Sequence, residues 1–291
     1  MKTFEYHNPG TLEQAISLLA QYNGQARLLA GGTDLIVEMR NGVLSPIAVI
    51  DLKGIPDLYF LKDEKESLRI GALVTIRDIE ASPLIAERFS LLKETARVMA
   101  SFQVRNRATL GGNICHASPA ADMVPPLIAL GSKIKVAGKN GERVMELEDL
   151  FVGPGKTRID PGEILKEIIV PKQHAPWEGT YLKLSPRRLT DLAVVGIALV
   201  FLRAQGSKCK DVRIVMGAVA PRAIRAKEAE RCLTGKEVDE RLILEAAEKA
   251  MQEASPITDV RGSDWYRRKM VKVLVERGLR KLCKIENSRK E

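Results

Sequence analysis

Apolar residues in the first 170 positions recur at helical and strand spacings in alternation. Leu12, Ala15, Ile16 and Leu19 form one face of a segment that follows a candidate N-cap, Thr11, which predicts a helix over 12–22. Further short apolar runs predict strands at 27–30, 47–51, 68–72, 133–137, 143–146 and 164–170, with helices after Thr75 and at 91–101 and 123–130. This alternation predicts two small α/β units, at about 1–55 and 56–173.

The order of elements changes after residues 171–176, a polar segment with a proline at each end that reads as a linker. Three strand-like runs follow, at 180–184, 194–203 and 212–219. Three helical patterns come next, at 222–233, 238–254 and 264–284. Strands followed by helices predict a three-stranded antiparallel sheet covered by helices. The whole chain is therefore predicted to be of the α+β class, with domains at 1–173 and 174–291.

Two Gly-Gly loops carry the candidate chemistry. The first, Ala30-Gly31-Gly32-Thr33-Asp34, lies between a predicted strand and a helix-like segment, an arrangement that suits a pyrophosphate. The second starts at Thr109-Leu110-Gly111-Gly112-Asn113, about eighty residues later, and adds Ser118 and Asp122. Successive amides without a Cβ nearby suit a phosphate, and the polar side chains suit ribose or ribityl hydroxyls. Together the two loops indicate a single dinucleotide that is bound from two sides.

Other interpretations of these loops stay open. Each Gly-Gly pair by itself is also compatible with an ordinary tight turn. The fingerprints G-x-G-x-x-G and G-x-x-x-x-G-K-[ST], which mark the commoner nucleotide sites, are absent from the sequence.

Composition limits the classes of function. The formal net charge is +9, and residues 265–291 contain ten Lys or Arg against three Glu. Such a tail is compatible with nucleic-acid binding. However, aromatic residues make up only 4% of the chain, which argues against a stacking platform for single-stranded nucleic acid. Apolar residues at helical spacing in the tail favour an amphipathic helix with a solvated basic face, which could dock another subunit.

Cysteine and histidine usage predicts no metal site in this chain. The four cysteines, Cys115, Cys209, Cys232 and Cys283, are scattered, which favours reduced thiols and leaves no ligand set for an iron–sulfur cluster. Cys115 and His116 are adjacent, but no second pair completes a tetrahedral site. The longest uncharged apolar run, 192–202, is too short for a membrane span, and no signal peptide is recognisable. A cytoplasmic protein is expected.

The two loops and their polar neighbours resemble the FAD-binding, or medium, subunit of the molybdenum hydroxylases. This family includes the medium chain of carbon monoxide dehydrogenase and the flavin domain of xanthine dehydrogenase. The resemblance covers nearly the whole chain. It is carried by Ala30 to Asp34, Ile70-Gly71-Ala72, Thr109 to Asn113, Ala117-Ser118-Pro119, Asp122, Lys183-Leu184-Ser185-Pro186-Arg187-Arg188 and Tyr266-Arg267.

The resemblance implies a PCMH-type fold, in which two N-terminal α/β subdomains bind FAD without a covalent bond. A C-terminal domain like that of the carbon monoxide dehydrogenase flavoprotein is implied to follow. No residue of this chain is expected to oxidise the substrate. The implied FAD-binding residues are Arg27, Leu28, Leu29, Ala30, Gly31, Gly32, Thr33, Asp34, Leu35, Thr109, Gly111, Gly112, Asn113, Ser118, Asp122, Ile159, Lys183 and Leu192.

Four of these residues have a competing structural interpretation. Lys183 is implied to reach the flavin, where a cation stabilises the anionic reduced form, but a surface lysine at a strand edge is the alternative. Leu192 and Ile159 are implied to touch the isoalloxazine ring, and the alternative for each is a core position. Asp122 could accept hydrogen bonds from ribityl or ribose hydroxyls, or cap the helix that follows it.

The resemblance also implies companions. These are a large molybdopterin subunit and a small subunit with two [2Fe–2S] clusters, in a dimer of heterotrimers. Electrons would pass from molybdenum through the clusters to FAD, and then to NAD, a quinone or another acceptor. Two alternatives are a free-standing flavin oxidoreductase and a basic nucleic-acid-binding protein.

Overall fold

The computed structural model of the chain describes residues 1–172, 177–187, 190–204 and 208–285. Most of the predicted linker, Gln173 to Pro176, lies outside the described residues, as does Arg188 of the family motif. The chain forms two compact units. The first unit consists of residues 1–84, 101–117 and 131–172, and the second of 85–100, 118–130 and the residues from 173 onward.

Strands and helices are numbered in chain order. The strands are β1 (Glu5–His7), β2 (Ala26–Leu29), β3 (Ala48–Asp51), β4 (Leu61–Asp63), β5 (Ser67–Gly71), β6 (Lys133–Gly138), β7 (Gly141–Glu146), β8 (Phe151–Gly153), β9 (Lys156–Thr157), β10 (Ile164–Pro171), β11 (Trp177–Leu184), β12 (Val195–Arg203), β13 (Cys209–Gly217) and β14 (Ile224–Arg225). The helices are α1 (Leu12–Tyr22), α2 (Leu35–Arg40), α3 (Ile76–Ala81), α4 (Pro83–Arg88), α5 (Ser90–Val98), α6 (Phe102–Arg105), α7 (Leu110–Cys115), α8 (Val124–Ala129), α9 (Leu147–Leu150), α10 (Lys227–Leu233), α11 (Glu240–Glu253) and α12 (Asp264–Cys283).

A three-stranded parallel sheet, in the order β1-β3-β2, begins the first unit. Helix α1 starts at the predicted residue, because the Thr11 side chain accepts the Gln14 N–H while the Gln14 side chain accepts the Thr11 N–H. Its apolar face, with Leu12, Ala15 and Leu19, is buried in one core cluster with Ile50 of β3. The first Gly-Gly loop follows β2 directly and leads into α2, so it lies at the carboxyl end of a parallel strand.

The first unit also contains a five-stranded antiparallel sheet, in the order β4-β5-β10-β6-β7. Glu167 of the central strand β10 is fully buried and pairs with Arg69 of β5 at 2.6 Å and Lys135 of β6 at 3.0 Å. Partners on both neighbouring strands satisfy a charge that would be costly to bury alone. The strands predicted at 68–72, 133–137, 143–146 and 164–170 are all present in this sheet.

The second unit contains a four-stranded antiparallel sheet, in the order β11-β12-β13-β14. The three predicted strands form it, and the two-residue strand β14 extends it at one edge. The helix predicted at 222–233 is wrong at its start. Ile224 and Arg225 form β14 and pair with β13, so α10 begins only at Lys227. Helices α10 and α12 pack on the sheet, and α11 packs on both of these helices.

Segments from the first half of the sequence also belong to the second unit. Helix α5 packs on β11, and α8 packs on β12 and β13. The compact units therefore do not follow the linear division at residue 173, because α5 and α8 bury their apolar residues against a sheet that lies later in the chain. Sequence periodicity gave the positions of these helices but not the sheet that they cover.

One predicted loop is partly helical. The sequence predicts a loop around Gly111 and Gly112, but α7 begins at Leu110 and runs to Cys115. The helix forms because Thr109 caps it: the Thr109 side chain accepts the Gly112 N–H at 3.1 Å. Across the described ranges, no helix has the length and apolar character needed to cross a membrane.

Candidate functional site

The first Gly-Gly loop presents a row of free amides. Among the described residues, no protein acceptor is found for the backbone N–H groups of residues 31–35. Gly32 has a φ of +76°, a conformation that glycine adopts without strain. The Asp34 carboxylate makes no capping bond to α2. Free amides at the start of a helix form a positively polarised concavity, so this loop can bind an anionic group.

The second Gly-Gly loop uses its amides within the protein. Gly111 donates to the Ala72 carbonyl at 2.9 Å, and Asn113 donates to the Thr109 carbonyl at 3.0 Å. Gly112 donates to the Thr109 side chain. The prediction that these amides form an anion-binding concavity is therefore wrong, because the N–H groups of Gly111, Gly112 and Asn113 already donate to Ala72 and Thr109.

Asn113 keeps one unsatisfied group for a ligand. Its side-chain oxygen, Oδ1, is buried and has no hydrogen-bond partner within the described part of the chain. A buried polar atom without a partner is costly, and a ligand hydroxyl would satisfy it. The second loop thus fits the hydroxyls of a ligand rather than its phosphates.

The two loops are brought together within the first unit. A Cβ on Gly31 would lie 2.1 Å from the carbonyl oxygen of Arg107, just before the second loop. A Cβ on Gly111 would lie 2.7 Å from the carbonyl oxygen of Ala72. The first glycine of each pair is therefore required by close backbone approach. In contrast, a Cβ on Gly112 would meet only the Thr109 hydroxyl oxygen, at 2.9 Å.

In the second unit, Asp122, Tyr181 and Lys183 form a buried hydrogen-bonded trio. Lys183 Nζ lies 2.8 Å from Asp122 Oδ2, and the Tyr181 hydroxyl donates to Asp122 Oδ1 at 2.8 Å. Lys183 Nζ also donates to the Val98 carbonyl at 3.3 Å. Since the Lys183 side chain is only 7% exposed, the surface-lysine interpretation is wrong. Lysines are rarely so buried unless they are paired.

Asp122 does not cap the following helix. Helix α8 begins at Val124, its N-cap position is Met123, and no side chain caps it. The carboxylate is instead committed to Lys183 and Tyr181, so the capping interpretation is wrong. Burial raises the pKa of the Asp122 carboxyl, while the Lys183 ammonium and the Tyr181 hydroxyl oppose that rise. Burial and the Asp122 charge together raise the pKa of Tyr181 well above its ordinary value.

The two apolar candidates are not core residues. Leu192 is 56% exposed, so the core interpretation is wrong for it. Ile159 is half-buried in the first unit. An exposed leucine and a half-buried isoleucine are both available to contact an apolar ligand surface.

The remaining candidate residues near the two loops differ in exposure and in hydrogen bonding. The exposed Arg27 donates to the carbonyls of Gly24 and Ala26, while Leu28, Leu29 and Ala30 are half-buried. The Ser118 hydroxyl accepts the Ala120 N–H at 3.3 Å. The Thr33 hydroxyl lies 3.5 Å from the Asp34 carboxylate. Within the described ranges, no group of three His, Cys, Asp or Glu side chains is placed to hold a metal ion.

Two residues of the second unit, Tyr181 and Arg267, make buried contacts that the sequence does not predict. Tyr181 carried no sequence motif at all. Arg267 belongs to the Tyr266-Arg267 motif, and the motif by itself predicts no structural role for it. It is buried and donates to the Val194 carbonyl at 3.1 Å and the Ala218 carbonyl at 3.0 Å. Arg267 therefore fixes the chain next to Leu192.

The basic C-terminal segment contains an amphipathic helix, α12. Its apolar residues Val271, Leu274 and Leu279 are buried in the core of the second unit. Basic side chains on the helix pair with acids elsewhere in that unit, as Lys272 does with Glu248 and Arg280 with Glu240. The predicted amphipathic helix is confirmed, and its subunit-docking role stays a prediction.

Comparison with known proteins places the chain in a family. The family described as the FAD binding domain in molybdopterin dehydrogenase matches residues 2–173, and the CO dehydrogenase flavoprotein C-terminal domain matches 180–282. The carbon monoxide dehydrogenase medium chain of Hydrogenophaga pseudoflava is 35% identical over 278 residues, covering 95% of this chain and 96% of that one. The glyceraldehyde dehydrogenase medium chain of Sulfolobus acidocaldarius is 33% identical over 280 residues, covering 96% and 98%.

Solved structures agree with this placement. A chain of carbon monoxide dehydrogenase from Hydrogenophaga pseudoflava superposes with a TM-score of 0.94 at 35% identity, with 97% of each chain covered. This protein belongs to the family of FAD-binding medium subunits of the molybdenum hydroxylases. It is thus a flavin-binding oxidoreductase subunit of the carbon monoxide and xanthine dehydrogenase type.

The residues present fit the cofactor of this family. FAD combines a pyrophosphate with ribityl and ribose hydroxyls and an apolar ring. The first unit offers free amides at 31–35 for an anion and the orphaned Asn113 oxygen for a hydroxyl. It also offers an open cradle at Gly112 that a side chain would partly fill.

Proposed function

We propose that this chain is the electron-transfer subunit of a molybdenum hydroxylase. It binds FAD without a covalent bond, takes electrons from a [2Fe–2S] subunit and passes them to NAD or another acceptor. FAD, when bound, supplies the capacity to take up and release those electrons. The observation that carries the proposal is the row of free amides at 31–35, together with the orphaned Asn113 oxygen in the same compact unit, in a chain of this family.

The proposed roles follow from the chemistry of each group. Amides of Gly31 to Leu35 bind the pyrophosphate, because they carry partial positive charge and lack protein acceptors. Asn113 and Ser118 accept or donate to ribityl and ribose hydroxyls. Leu192 and Ile159 offer apolar contacts to the ring. The buried pair of Lys183 and Asp122 sets the charge near the flavin.

The chain's place in an assembly is part of the proposal. Two relatives are named medium chains, one of carbon monoxide dehydrogenase and one of glyceraldehyde dehydrogenase. Both are similar over nearly the whole length although the names differ in substrate, which supports a substrate site on another subunit. We therefore propose a large molybdopterin subunit and a small [2Fe–2S] subunit as partners, in a cytoplasmic dimer of heterotrimers. Domains at 1–173 and 174–291 are proposed for this chain.

Metal analysis and recombination test this division of labour. The purified chain is expected to carry flavin but no stoichiometric iron, acid-labile sulfide or molybdenum, because its four cysteines are scattered along the sequence. It should oxidise no hydroxylase substrate until it is recombined with its large and small partners. NADH should reduce the isolated flavoprotein if NAD is the acceptor. Stoichiometric iron in the lone polypeptide would show that the proposed division is wrong.

A further inference from the structure

Tyr181 and Lys183 lie on one strand, and both donate to the carboxylate of Asp122. They are two residues apart on β11, so their side chains project from the same face of the sheet. The hydroxyl of Tyr181 donates to Asp122 Oδ1 and the ammonium of Lys183 to Asp122 Oδ2, each at 2.8 Å. Tyr181 is 4% exposed and Asp122 is 5% exposed. Each oxygen of Asp122 therefore has its own donor, and the carboxylate has one fixed orientation.

Two strand positions next to this trio are glycines, and a side chain at either would collide with it or with the neighbouring helix. Gly196 of β12 lies opposite Lys183 in the ladder, and a Cβ there would lie 2.5 Å from the Tyr181 hydroxyl oxygen. Gly217 of β13 lies opposite Gly196, and a Cβ there would lie 2.9 Å from Pro125 of α8. Glycine in a strand interior weakens the strand, and it often marks a place where another group approaches closely. Here the groups are the phenol ring and the segment that carries Asp122.

We propose that Tyr181 is a positioning residue of the flavin site, which fixes the Asp122 carboxylate and, through it, the Lys183 ammonium. This inference rests on the proposed function, because it needs Lys183 to face the flavin. Without the hydroxyl, Asp122 would keep only the Lys183 donor. The Lys183 ammonium would in turn be free to move with the carboxylate, since its other partner is a single carbonyl at 3.3 Å.

Loss of the Tyr181 hydroxyl should change the flavin's reduction potential in one direction. The donated hydroxyl hydrogen offsets part of the negative charge of Asp122. Removing it makes the region around Lys183 more negative, and a more negative surrounding disfavours an anionic reduced flavin. The Lys183 charge also acts on Asp191, which forms its own ion pair with Arg187. The flavin's reduction potential should therefore fall when the hydroxyl is removed.

The test is a redox titration of the flavin in the purified chain with Tyr181→Phe. The change removes one oxygen and leaves the ring that packs on Gly196. We expect FAD to be retained and the equilibrium to move toward oxidised flavin about tenfold, a fall of about 30 mV for a two-electron couple. Tyr6→Phe is the matched control, because the Tyr6 hydroxyl also donates to a carboxylate, Asp51, in the first unit at 2.6 Å. The control should leave the potential unchanged.

A second variant moves the hydroxyl without deleting it. Gly196→Ala should displace the phenol, because its Cβ would lie 2.5 Å from the hydroxyl oxygen, and should lower the potential in the same direction. The double variant should shift the potential no further than the larger single shift, since both changes break one hydrogen bond. Unchanged potentials in flavin-loaded Tyr181→Phe and Gly196→Ala would overturn the positioning role alone. A wild-type chain that binds no FAD would overturn the proposed function and this inference with it.

Discussion

Gly31→Ala is expected to lower the free energy of unfolding by about 3 kcal/mol and to abolish FAD retention. The added methyl carbon would lie 2.1 Å from the Arg107 carbonyl oxygen, so the backbone of one loop must move away from the segment that precedes the other. That movement would disturb the row of amides at 31–35 and the capped start of α7. Denaturant unfolding and the flavin content of the purified variant measure the two effects.

Gly153→Ala is the matched control, because a Cβ there would meet no atom within 4 Å. It should retain FAD and unfold like the wild type. A Gly31→Ala protein that is as stable as the control, with full flavin content, would contradict the close approach of the Gly31 backbone to Arg107.

Gly112→Val separates the site from the fold. Its Cβ would meet only the Thr109 hydroxyl oxygen, a side-chain atom that can rotate away at the cost of the α7 cap, about 1 kcal/mol. We therefore expect a folded protein that no longer retains FAD. Gly32→Val would not separate the two effects. The φ of +76° at Gly32 would strain a β-branched residue, so this change would alter folding and binding together.

Lys183→Met is expected to have the second large effect, a loss of about 3–5 kcal/mol of unfolding free energy at neutral pH. It leaves the buried Asp122 carboxylate with the Tyr181 hydroxyl as its remaining side-chain partner. The flavin potential should fall as well, because a cation that favours the reduced anion is lost. Denaturant unfolding and a redox titration measure these outcomes.

The pH dependence of Lys183→Met has a predictable sign. Burial already raises the pKa of Asp122, and removing Lys183 raises it further by removing an opposing charge. A carboxyl whose pKa is higher in the folded than in the unfolded state loses stability as the pH rises between the two values. The variant should therefore approach the wild type in stability as the pH is lowered. Lys183→Met combined with Asp122→Asn should be more stable than Lys183→Met alone, and equal stabilities would contradict the buried-charge explanation.

Local patterns predicted the parts of this protein that depend on neighbours in sequence. Helix α1 starts at its predicted N-cap, and the first Gly-Gly loop presents the amides expected at the start of a helix. The motif Thr109 to Asn113 identified the second loop but not its conformation. Two consecutive glycines favour a turn, whereas here the local Thr109 cap starts a helix. The Gly111 N–H also donates to the carbonyl of Ala72, which lies far away in the sequence.

The contacts that sequence could not reveal are long-range. Tyr181 lies 59 residues from Asp122, and neither its residue type nor its spacing marks it as a partner of that carboxylate. The buried ion pair of Lys183 with Asp122 likewise joins residues far apart in the sequence. The grouping of α5 and α8 with the later sheet likewise depends on apolar surfaces, and periodicity does not say which surface meets which.

The FAD content of the purified full-length chain tests the central claim most directly. Flavin released by denaturation should be FAD and equimolar with the polypeptide, and Gly112→Val should carry none. A folded wild-type chain that is colourless and takes up no FAD from solution would contradict the account.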